Sequence, residues 1–290
     1  MRVAVLGAGT MGQGIAQVTA AAGFPTMLFD KLEGRAESAK AAIGAQLEKL
    51  VQKGKTTTEA SRTLLDGITP SQSIESASEG ADLVIEAAPE WMALKVEILT
   101  AAKKTAKPDA ILASNTSSLS ITEIGRSIDE DSRVIGLHFF NPPPVMELLE
   151  VVRGLKTSKA TIERALSFAT AIKKTSIVVR DMPGFATSRL GVILGAEAIR
   201  MLESGVASAS DIDRAMELGY RHPMGPLKLT DLVGLDVRLS ILEHLQKELG
   251  EQFRPPPLLR QMVRAGKLGK KSGEGFYVWK DGVATERKDA

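Results

Sequence analysis

Short apolar runs alternate with longer stretches of mixed or alanine-rich character from the start of the chain. Val3 to Leu6 and Thr26 to Phe29 are mostly apolar, and the alanine-rich stretch 11–22 between them ends before Gly23. Short apolar runs bounded by turn residues are typical of buried strands, and the longer stretch is typical of a helix. The first thirty residues therefore predict a strand, a tight turn, a helix and a second strand, which together form a βαβ unit.

The same alternation continues to about residue 180. We predict further helices over residues 33–53, 94–102 and 162–172. We predict further strands over residues 81–87, 110–113, 133–138, 148–152 and 177–179. Strands that alternate with helices favour a mostly parallel sheet that helices cover on both faces. The expected fold of this part is a doubly wound α/β sheet.

The pattern changes after Met182, where strand signals almost disappear until residues 275–279. Helices are predicted over residues 185–202, 208–218 and 226–249, and a proline run over residues 255–257 precedes another helix. The first of these helices carries apolar residues on nearly every face, so we expect it to be buried, with Gly191 and Gly195 permitting close helix contact. We place a domain boundary near residue 182, with an α/β domain over residues 1–182 and an all-α C-terminal domain over residues 183–290.

Composition narrows the class of protein. The chain is 43% hydrophobic and 25% charged with a net charge of +2, so we expect no nucleic-acid or membrane partner. The absence of cysteine excludes a disulfide framework and thiolate catalysis. No apolar run approaches the roughly 18 residues that span a bilayer, and glycines interrupt the first apolar stretch, unlike a signal peptide. We expect a cytoplasmic protein with no metal site.

A glycine motif follows the first predicted strand. The residues that match G-x-G-x-x-G are Gly7, Ala8, Gly9, Thr10, Met11 and Gly12. The first glycine permits a tight turn, the second lets a diphosphate approach the backbone, and the third lets helix and strand pack closely. Amides at the start of the helix would face the anion. The strand before the motif and the helix after it favour a Rossmann-type dinucleotide site over a merely tight turn.

Asp30 ends the second predicted strand, 23 positions after Gly7 (30 minus 7). A carboxylate at this place holds the adenosine ribose hydroxyls of a dinucleotide. It repels a 2′-phosphate, so the sequence favours NAD over NADP. Lys31 and Arg35 lie just beyond it and would soften that preference. The alternative is a solvated turn acid that contacts no ligand.

Histidine exchanges protons near neutral pH, and the chain has three candidates. His244 falls in a charged predicted helix, and His222 precedes a proline in a predicted loop. His138 ends a predicted strand of the sheet expected to bind a dinucleotide. Catalytic groups usually gather at the carboxyl ends of such strands. Taken by itself, His138 has a structural role and a catalytic role as equal alternatives.

Four motifs in family order resemble the 3-hydroxyacyl-CoA dehydrogenase family. They are HFFNP at residues 138–142, DMPGF at 181–185, HPMGP at 222–226 and GKKSGEGFY at 269–277. The resemblance runs from Met1 to Trp279, and the short form, like bacterial 3-hydroxybutyryl-CoA dehydrogenases, fits the 290 residues. It implies an oxidoreductase that reversibly oxidises an (S)-3-hydroxyacyl-CoA, short-chain esters included, to the 3-oxoacyl-CoA with NAD.

The resemblance implies roles for three residues at the reaction centre. His138 would be the general acid/base. Glu150, twelve residues later, would orient its ring and stabilise the imidazolium, as the carboxylate of a triad does. Ser117 would contact the substrate hydroxyl. Glu147 is a rival partner for the histidine, but its odd offset along the strand points it to the other face.

The resemblance also implies contacts with the cofactor and the substrate. Around the nicotinamide half it implies Glu90, Lys95, Asn115 and Asn141, with Lys271 as a later lysine of the cofactor site. Lys49, Lys53 and Lys55 end a predicted helix in the family's CoA-contacting region, although exposed lysines are commonly only solvated.

One position departs from the family. Ser188 stands where many relatives carry an asparagine thought to help polarise the 3-oxygen of the substrate. Serine is shorter but keeps a hydroxyl donor. The departure therefore bears on substrate range or rate more than on the class of reaction.

The resemblance implies an acyl chain in the cleft between the domains and a homodimer formed through the helical domain. Two other functions remain open: a dehydrogenase of a free hydroxy acid in the same superfamily, and a dinucleotide-binding protein without catalysis. Relatives that act on 3-hydroxyisobutyrate use a catalytic lysine and lack the HFFNP motif. Retention of His138, Glu150 and Ser117 together argues against a loss of catalysis.

Overall fold

The computed structural model describes residues 1–287 and forms two compact units. The first unit comprises Met1–Met182, and the second begins at Pro183. Each unit has its own hydrophobic core. No helix within the described residues is long and apolar enough to cross a membrane.

An eight-stranded sheet in the order β3-β2-β1-β4-β5-β6-β7-β8 forms the first unit. The strands are β1 (Val3–Leu6), β2 (Thr26–Phe29), β3 (Ile68–Ser71), β4 (Leu83–Glu86), β5 (Ile111–Ser114), β6 (Val134–Phe139), β7 (Leu148–Arg153) and β8 (Thr175–Arg180). All neighbours run parallel except β6 and β7, which pair antiparallel. The doubly wound α/β fold predicted from the alternation is confirmed.

Seven helices pack around this sheet in the described residues. They are α1 (Thr10–Ala21), α2 (Arg35–Gln52), α3 (Thr58–Asp66), α4 (Ile74–Ser78), α5 (Met92–Ala102), α6 (Ile121–Ser127) and α7 (Lys159–Ala171). The central strands β1, β4, β5 and β6 are buried at every position, which is why their sequences are mostly apolar. Their core also takes in Ile15 from α1, Ile43 from α2 and Phe168 from α7.

The sequence analysis missed the segment between α2 and β4, which contains α3, β3 and α4. Only Ile68 in β3 is apolar and buried, and Pro70 interrupts the strand. A proline is tolerated there because β3 lies at the edge of the sheet. A strand with one apolar residue and a proline carries no recognisable period.

The second unit is a bundle of helices with one antiparallel hairpin. Its helices are α8 (Thr187–Glu203), α9 (Ala209–Arg214), α10 (Pro226–Val233), α11 (Leu235–Leu249) and α12 (Pro257–Arg264). The hairpin pairs β9 (Tyr277–Lys280) with β10 (Val283–Glu286). A π-helical segment over Ala215–Gly219 extends α9. The C-terminal domain is therefore helical as predicted, with a terminal hairpin that the sequence analysis recognised only in its first strand.

Two of the helix predictions in this unit were wrong in detail. The helix predicted over 226–249 is divided at Gly234, whose φ of +104° has no place in a helix. The helix predicted to be buried all round is buried on one face only, and Leu190 on α8 is 69% exposed. Gly195 does lie at a close helix contact, because a Cβ there would stand 3.0 Å from Oγ1 of Thr230 on α10.

Two buried aspartates tie the hairpin to the helices. Asp231 accepts hydrogen bonds from the amides of Phe276 and Tyr277 and from Nε1 of Trp279. Asp213 accepts from the amide of Leu227 at the start of α10 and from Oη of Tyr277. Burial raises the pKa of Asp231, and these donors act in the opposite direction.

The two buried aspartates explain why the two C-terminal family motifs each contain a glycine. A Cβ at Gly225 would stand 2.1 Å from Cβ of Asp213, and one at Gly275 would stand 2.1 Å from Oδ1 of Asp231. Neither position therefore has room for a side chain. The HPMGP and GKKSGEGFY motifs thus have a structural reason in this unit.

Candidate active site

The glycine motif opens a cleft at the carboxyl ends of β1, β2 and β4. A Cβ at Gly7 would stand 2.7 Å from the carbonyl oxygen of Ala87, and one at Gly12 would stand 1.6 Å from the carbonyl oxygen of Gly7. Nothing lies within 4 Å of a Cβ at Gly9, which leaves open space in front of α1. The helix begins with no side-chain cap and no acidic residue in its first turn. An anionic diphosphate fits these amides and this space.

The cleft has a volume of about 650 Å³ and lies wholly within the first unit. Its lining includes Gly7, Gly9, Thr10, Met11 and Asp30 of the predicted cofactor site. Of the two motif residues not named in this lining, Ala8 and Gly12, Ala8 is buried. Its amide donates to Oδ2 of Asp30 over 2.7 Å. The loop and the acid that the sequence predicted are thus adjacent.

Asp30 lies directly after β2 and has two further neighbours. Its Oδ1 accepts from the amide of Leu32 over 3.0 Å, and Nε of Arg35 lies 3.8 Å from its Oδ2. Lys31 and Arg35 both line the cleft. A carboxylate and two cations therefore share the end where the adenosine ribose of a dinucleotide would lie.

His138 and Glu150 face each other directly across the antiparallel pair of β6 and β7. Nδ1 of His138 lies 2.6 Å from Oε2 of Glu150. The side chain of Glu150 is fully buried, and that of His138 is 9% exposed. The ring of Phe140 packs against the imidazole with 4.6 Å between centroids. Glu147, the rival partner, is exposed and precedes β7.

Asn115 joins the ends of two strands beside this pair. It directly follows β5, and its Oδ1 accepts from the amide of Phe139 over 2.9 Å. Its own amide donates to the carbonyl oxygen of Glu86 at the end of β4. Hydrogen bonds through Asn115 therefore join the carboxyl ends of β4, β5 and β6 next to His138.

Glu90 holds the loop that carries Ser117. Its Oε1 accepts from Oγ1 of Thr116 over 2.6 Å and from the amides of Ser117 and Ser118 over 3.0 and 3.1 Å. Oγ of Ser117 lies 3.3 Å from the same oxygen. Burial would raise the pKa of Glu90, but the charge of Lys95 and these hydrogen bonds hold it below its ordinary value.

Lys95 is fully buried and forms an ion pair with two carboxylates. Its Nζ donates to Oε1 of Glu86 over 2.9 Å and to the carbonyl oxygen of Ala88 over 3.2 Å, and it lies 3.4 Å from Oε2 of Glu90. Burial raises the pKa of Glu86 against the effect of Lys95 and Ser114. An ammonium has three donors, and the groups around it engage all three. Lys95, predicted as a cofactor contact, supports the backbone between β4 and α5 in this arrangement.

Asn141 lies exposed in the loop after β6. Lys174 anchors that loop by donating to the carbonyl oxygens of Pro143 and Met146 over 2.6 and 2.7 Å. A Cβ at Gly14 of α1 would stand 2.5 Å from Cδ of Pro143. The absence of a side chain at Gly14 therefore lets the HFFNP loop approach the helix that begins at the glycine motif.

The remaining predicted residues lie on other elements of the chain. Lys49 and Lys53 are exposed at the end of α2, where Lys53 follows the last residue of the helix. Ser188 is half-buried in the first turn of α8. Nζ of Lys271 lies 2.6 Å from the carboxylate of Asp236 within the second unit. Within residues 1–287, no group of three or more His, Cys, Asp or Glu side chains could hold a metal ion.

The sequence analysis missed two groups of this site. Glu86 is the last residue of a buried strand, and its charge inside an apolar run was the available signal. Asp181 was noted only as part of a motif, yet its carboxylate binds the start of α6, about sixty residues earlier in the chain. Such a contact leaves no local signal.

Comparisons with known proteins agree along nearly all of the chain. Residues 2–182 match the family described as 3-hydroxyacyl-CoA dehydrogenase, NAD binding domain, and residues 184–279 match its C-terminal domain. A probable 3-hydroxybutyryl-CoA dehydrogenase of Bacillus subtilis is 46% identical over 97% of this chain and 98% of its own length. A 3-hydroxybutyryl-CoA dehydrogenase of Clostridioides difficile is 42% identical over 96% of this chain and 99% of its own length.

Solved structures give the same result. A crystal structure of (S)-3-hydroxybutyryl-CoA dehydrogenase from Ralstonia eutropha is 40% identical and covers 97% of this chain and 99% of its own, with a TM-score of 0.92. Both units of the fold thus match the same family. This chain belongs to the 3-hydroxyacyl-CoA dehydrogenase family.

Proposed function

We propose that this chain catalyses the reversible, NAD-dependent oxidation of short-chain (S)-3-hydroxyacyl-CoA esters such as 3-hydroxybutyryl-CoA. The observation that carries the proposal is the pair of His138 and Glu150, with 2.6 Å between Nδ1 and Oε2. The pair lies at the carboxyl end of β6 in a sheet whose β1 opens the dinucleotide cleft. The names of the relatives support the substrate class.

His138 moves the proton in this proposal. Bound NAD would accept the hydride from the carbon that bears the hydroxyl. His138 takes the hydroxyl proton through Nε2, because Nδ1 faces Glu150, and returns it in the reverse reaction. The buried carboxylate of Glu150 keeps the ring in one orientation and stabilises the imidazolium.

Ser117 orients the substrate oxygen in the same proposal. Its hydroxyl lies on the loop that Glu90 holds between β5 and α6. By the family resemblance we also assign Ser188, which stands in place of the asparagine of many relatives, to the substrate. Asn115 and Asn141, on the segments after β5 and β6, are proposed to contact the nicotinamide half of the cofactor. By the family resemblance we assign Lys271 to the cofactor as well.

Asp30 supports NAD as the cofactor rather than NADP. Its carboxylate occupies the end of β2 and repels a 2′-phosphate. Arg35, at 3.8 Å, reduces that repulsion without replacing the acid. Lys49 and Lys53 are exposed cations at the end of α2, and we assign them to the phosphates of CoA.

The second unit supports a homodimer. Leu190, Leu229, Leu232, Val233 and Val237 are exposed apolar side chains on α8, α10 and α11, which pack on one another. The guanidinium of Arg238 on α11 is buried, and burial lowers its pKa to about 10. Its Nε has no hydrogen-bond partner among the described residues. A second copy would cover the exposed apolar side chains. A cytoplasmic location stays an expectation from the sequence.

The direct test is a panel of acetoacetyl-CoA, longer 3-oxoacyl-CoA esters and free acetoacetate, each with NADH and with NADPH. The proposal expects turnover of acetoacetyl-CoA with NADH and little turnover of the free acid. Preferred turnover of the free acid would assign a hydroxy-acid dehydrogenase instead. Binding of NADH without turnover of any ester would leave a dinucleotide-binding protein.

A further inference from the structure

The short loop that carries Ser117 is held at both ends by a carboxylate. It spans residues 115–120, between the end of β5 and the start of α6. Glu90 binds its first half through the hydroxyl of Thr116 and the amides of Ser117 and Ser118. Asp181 binds its far end. The two carboxylates therefore fix the backbone on either side of the proposed substrate contact.

Asp181 uses both carboxylate oxygens at this far end. Its Oδ2 accepts from Oγ of Ser120 and from the amide of Thr122, both over 2.8 Å, and its Oδ1 accepts from the amide of Ile121 over 3.0 Å. Oγ of Ser120 in turn accepts from the amide of Glu123 over 3.1 Å. The first turn of α6 thus depends on a carboxylate that is distant in sequence, and a negative charge is favourable at the start of a helix.

The position of Asp181 in the chain gives these bonds a second consequence. It directly follows β8, its amide donates to the carbonyl oxygen of Arg153 at the end of β7, and Met182 after it is the last residue of the first unit. The segment that leads into the second unit is therefore bonded to the loop of Ser117. Ser117 lies only three positions before Ser120, the first partner of Asp181 (120 minus 117).

We propose that Asp181 is a positioning residue, which ties the connection between the two units to the Ser117 loop and so sets where that loop meets the substrate. This rests on the proposed function. Asp181 acts through the backbone of residues 117–122 and touches no reacting atom. A carboxylate that only stabilised α6 would change the stability of the protein and leave the kinetic constants of the folded enzyme unaltered.

The variant Asp181→Asn tests the proposal, because its amide nitrogen cannot accept the hydrogen bonds that one carboxylate oxygen accepts. We expect the KM for acetoacetyl-CoA to rise at least tenfold while the KM for NADH stays within twofold of the wild type. Ser120→Ala keeps the carboxylate and removes one donor, so the same shift should be present but smaller. This second variant keeps the proposal testable if Asp181→Asn does not fold.

Ser158→Ala is the matched control. Oγ of Ser158 caps α7 in the same unit by accepting from the amide of Thr161 over 3.1 Å, and it has no bond to the Ser117 loop. It should lower the melting temperature without altering either KM. If Asp181→Asn behaves like this control, the proposal is wrong.

Amide hydrogen exchange separates this proposal from the proposed function. In Asp181→Asn, exchange should accelerate across residues 116–122, including the amides that Glu90 binds, whether or not the wild type turns over acetoacetyl-CoA. Faster exchange confined to residues 121–123 would mean that Asp181 only caps α6, and would overturn the inference. An inactive wild type with exchange spread over the loop would instead contradict the proposed function and leave the positioning role supported.

Discussion

His138 and Glu150 are partners in the register of β6 and β7, and their side chains meet with 2.6 Å between Nδ1 and Oε2. Cross-strand partners on an antiparallel pair have neighbouring side chains, so the contact is built into the sheet itself. Because both strands lie inside the unit, the carboxylate is shielded from water beside the imidazole. The geometry can hold one ring orientation through a catalytic cycle.

Glu150→Gln removes the charge of this pair and keeps its shape. We expect kcat to fall by at least about tenfold, because the imidazolium loses its stabilising carboxylate. The double variant with His138→Gln should be little slower than the slower single variant, since the two residues act as one unit. Steady-state kinetics with acetoacetyl-CoA and NADH measure this. Glu147→Gln, an exposed glutamate on the same segment, is the control and should leave kcat unchanged.

Asp30→Ala tests the cofactor assignment. The substitution removes the carboxylate that repels a 2′-phosphate and leaves Lys31 and Arg35 in the cleft. NADH should bind more weakly, and its margin over NADPH should narrow, as measured by titration of each dinucleotide. A wild type that prefers NADPH by tenfold or more, about 1.4 kcal/mol, would contradict the assignment.

Replacing Lys49, Lys53 and Lys55 together with alanine tests the CoA contact. All three are exposed at the end of α2, and their loss should leave the fold intact. The KM for acetoacetyl-CoA should rise, and lowering the salt concentration should reduce this KM less than it does in the wild type. The KM for NADH should stay nearly constant. Equal changes in both KM values, or no change in either, would contradict the CoA contact and indicate that these lysines are only solvated.

Lys95→Met leaves the buried carboxylate of Glu86 without its cation. Breaking a buried ion pair by removing one partner costs about 3–5 kcal/mol. Burial already raises the pKa of Glu86, so the folded state binds a proton more readily than the unfolded state. Stability therefore increases as the pH falls through the folded pKa, and the loss should be larger at pH 8 than at pH 5.

Urea unfolding of this variant at the two pH values measures the difference. The variant that adds Glu86→Gln to Lys95→Met removes the titrating group, so its stability loss relative to the wild type should differ much less between the two pH values. A loss that does not depend on pH in the single variant would contradict the role given to Glu86.

The sequence predicted the parts of this molecule that depend on local pattern. Fully buried strands read as apolar runs, and the glycine motif with Asp30 follows from the needs of a βα turn that binds a diphosphate. The twelve-residue spacing of His138 and Glu150 became a prediction only through the family resemblance. The residues between them do not predict that β6 and β7 form an antiparallel pair.

The parts that escaped depend on contacts between distant segments. The break at Gly234 is set by a positive φ that helical periodicity does not reveal. The charge of Glu86 is matched by Lys95 on the next helix, and Asp181 reaches back to the start of α6. Edge strand β3 was missed because its one buried apolar residue and its proline show no recognisable period.

The turnover number of His138→Gln tests the central claim most directly. Glutamine keeps a polar side chain of similar size but cannot take up the hydroxyl proton, and general acid–base catalysis contributes typically about 10²–10⁴-fold. We predict that kcat falls at least about a hundredfold, while circular dichroism and the dissociation constant for NADH stay at the wild-type values. A folded His138→Gln enzyme with near wild-type kcat would contradict the account.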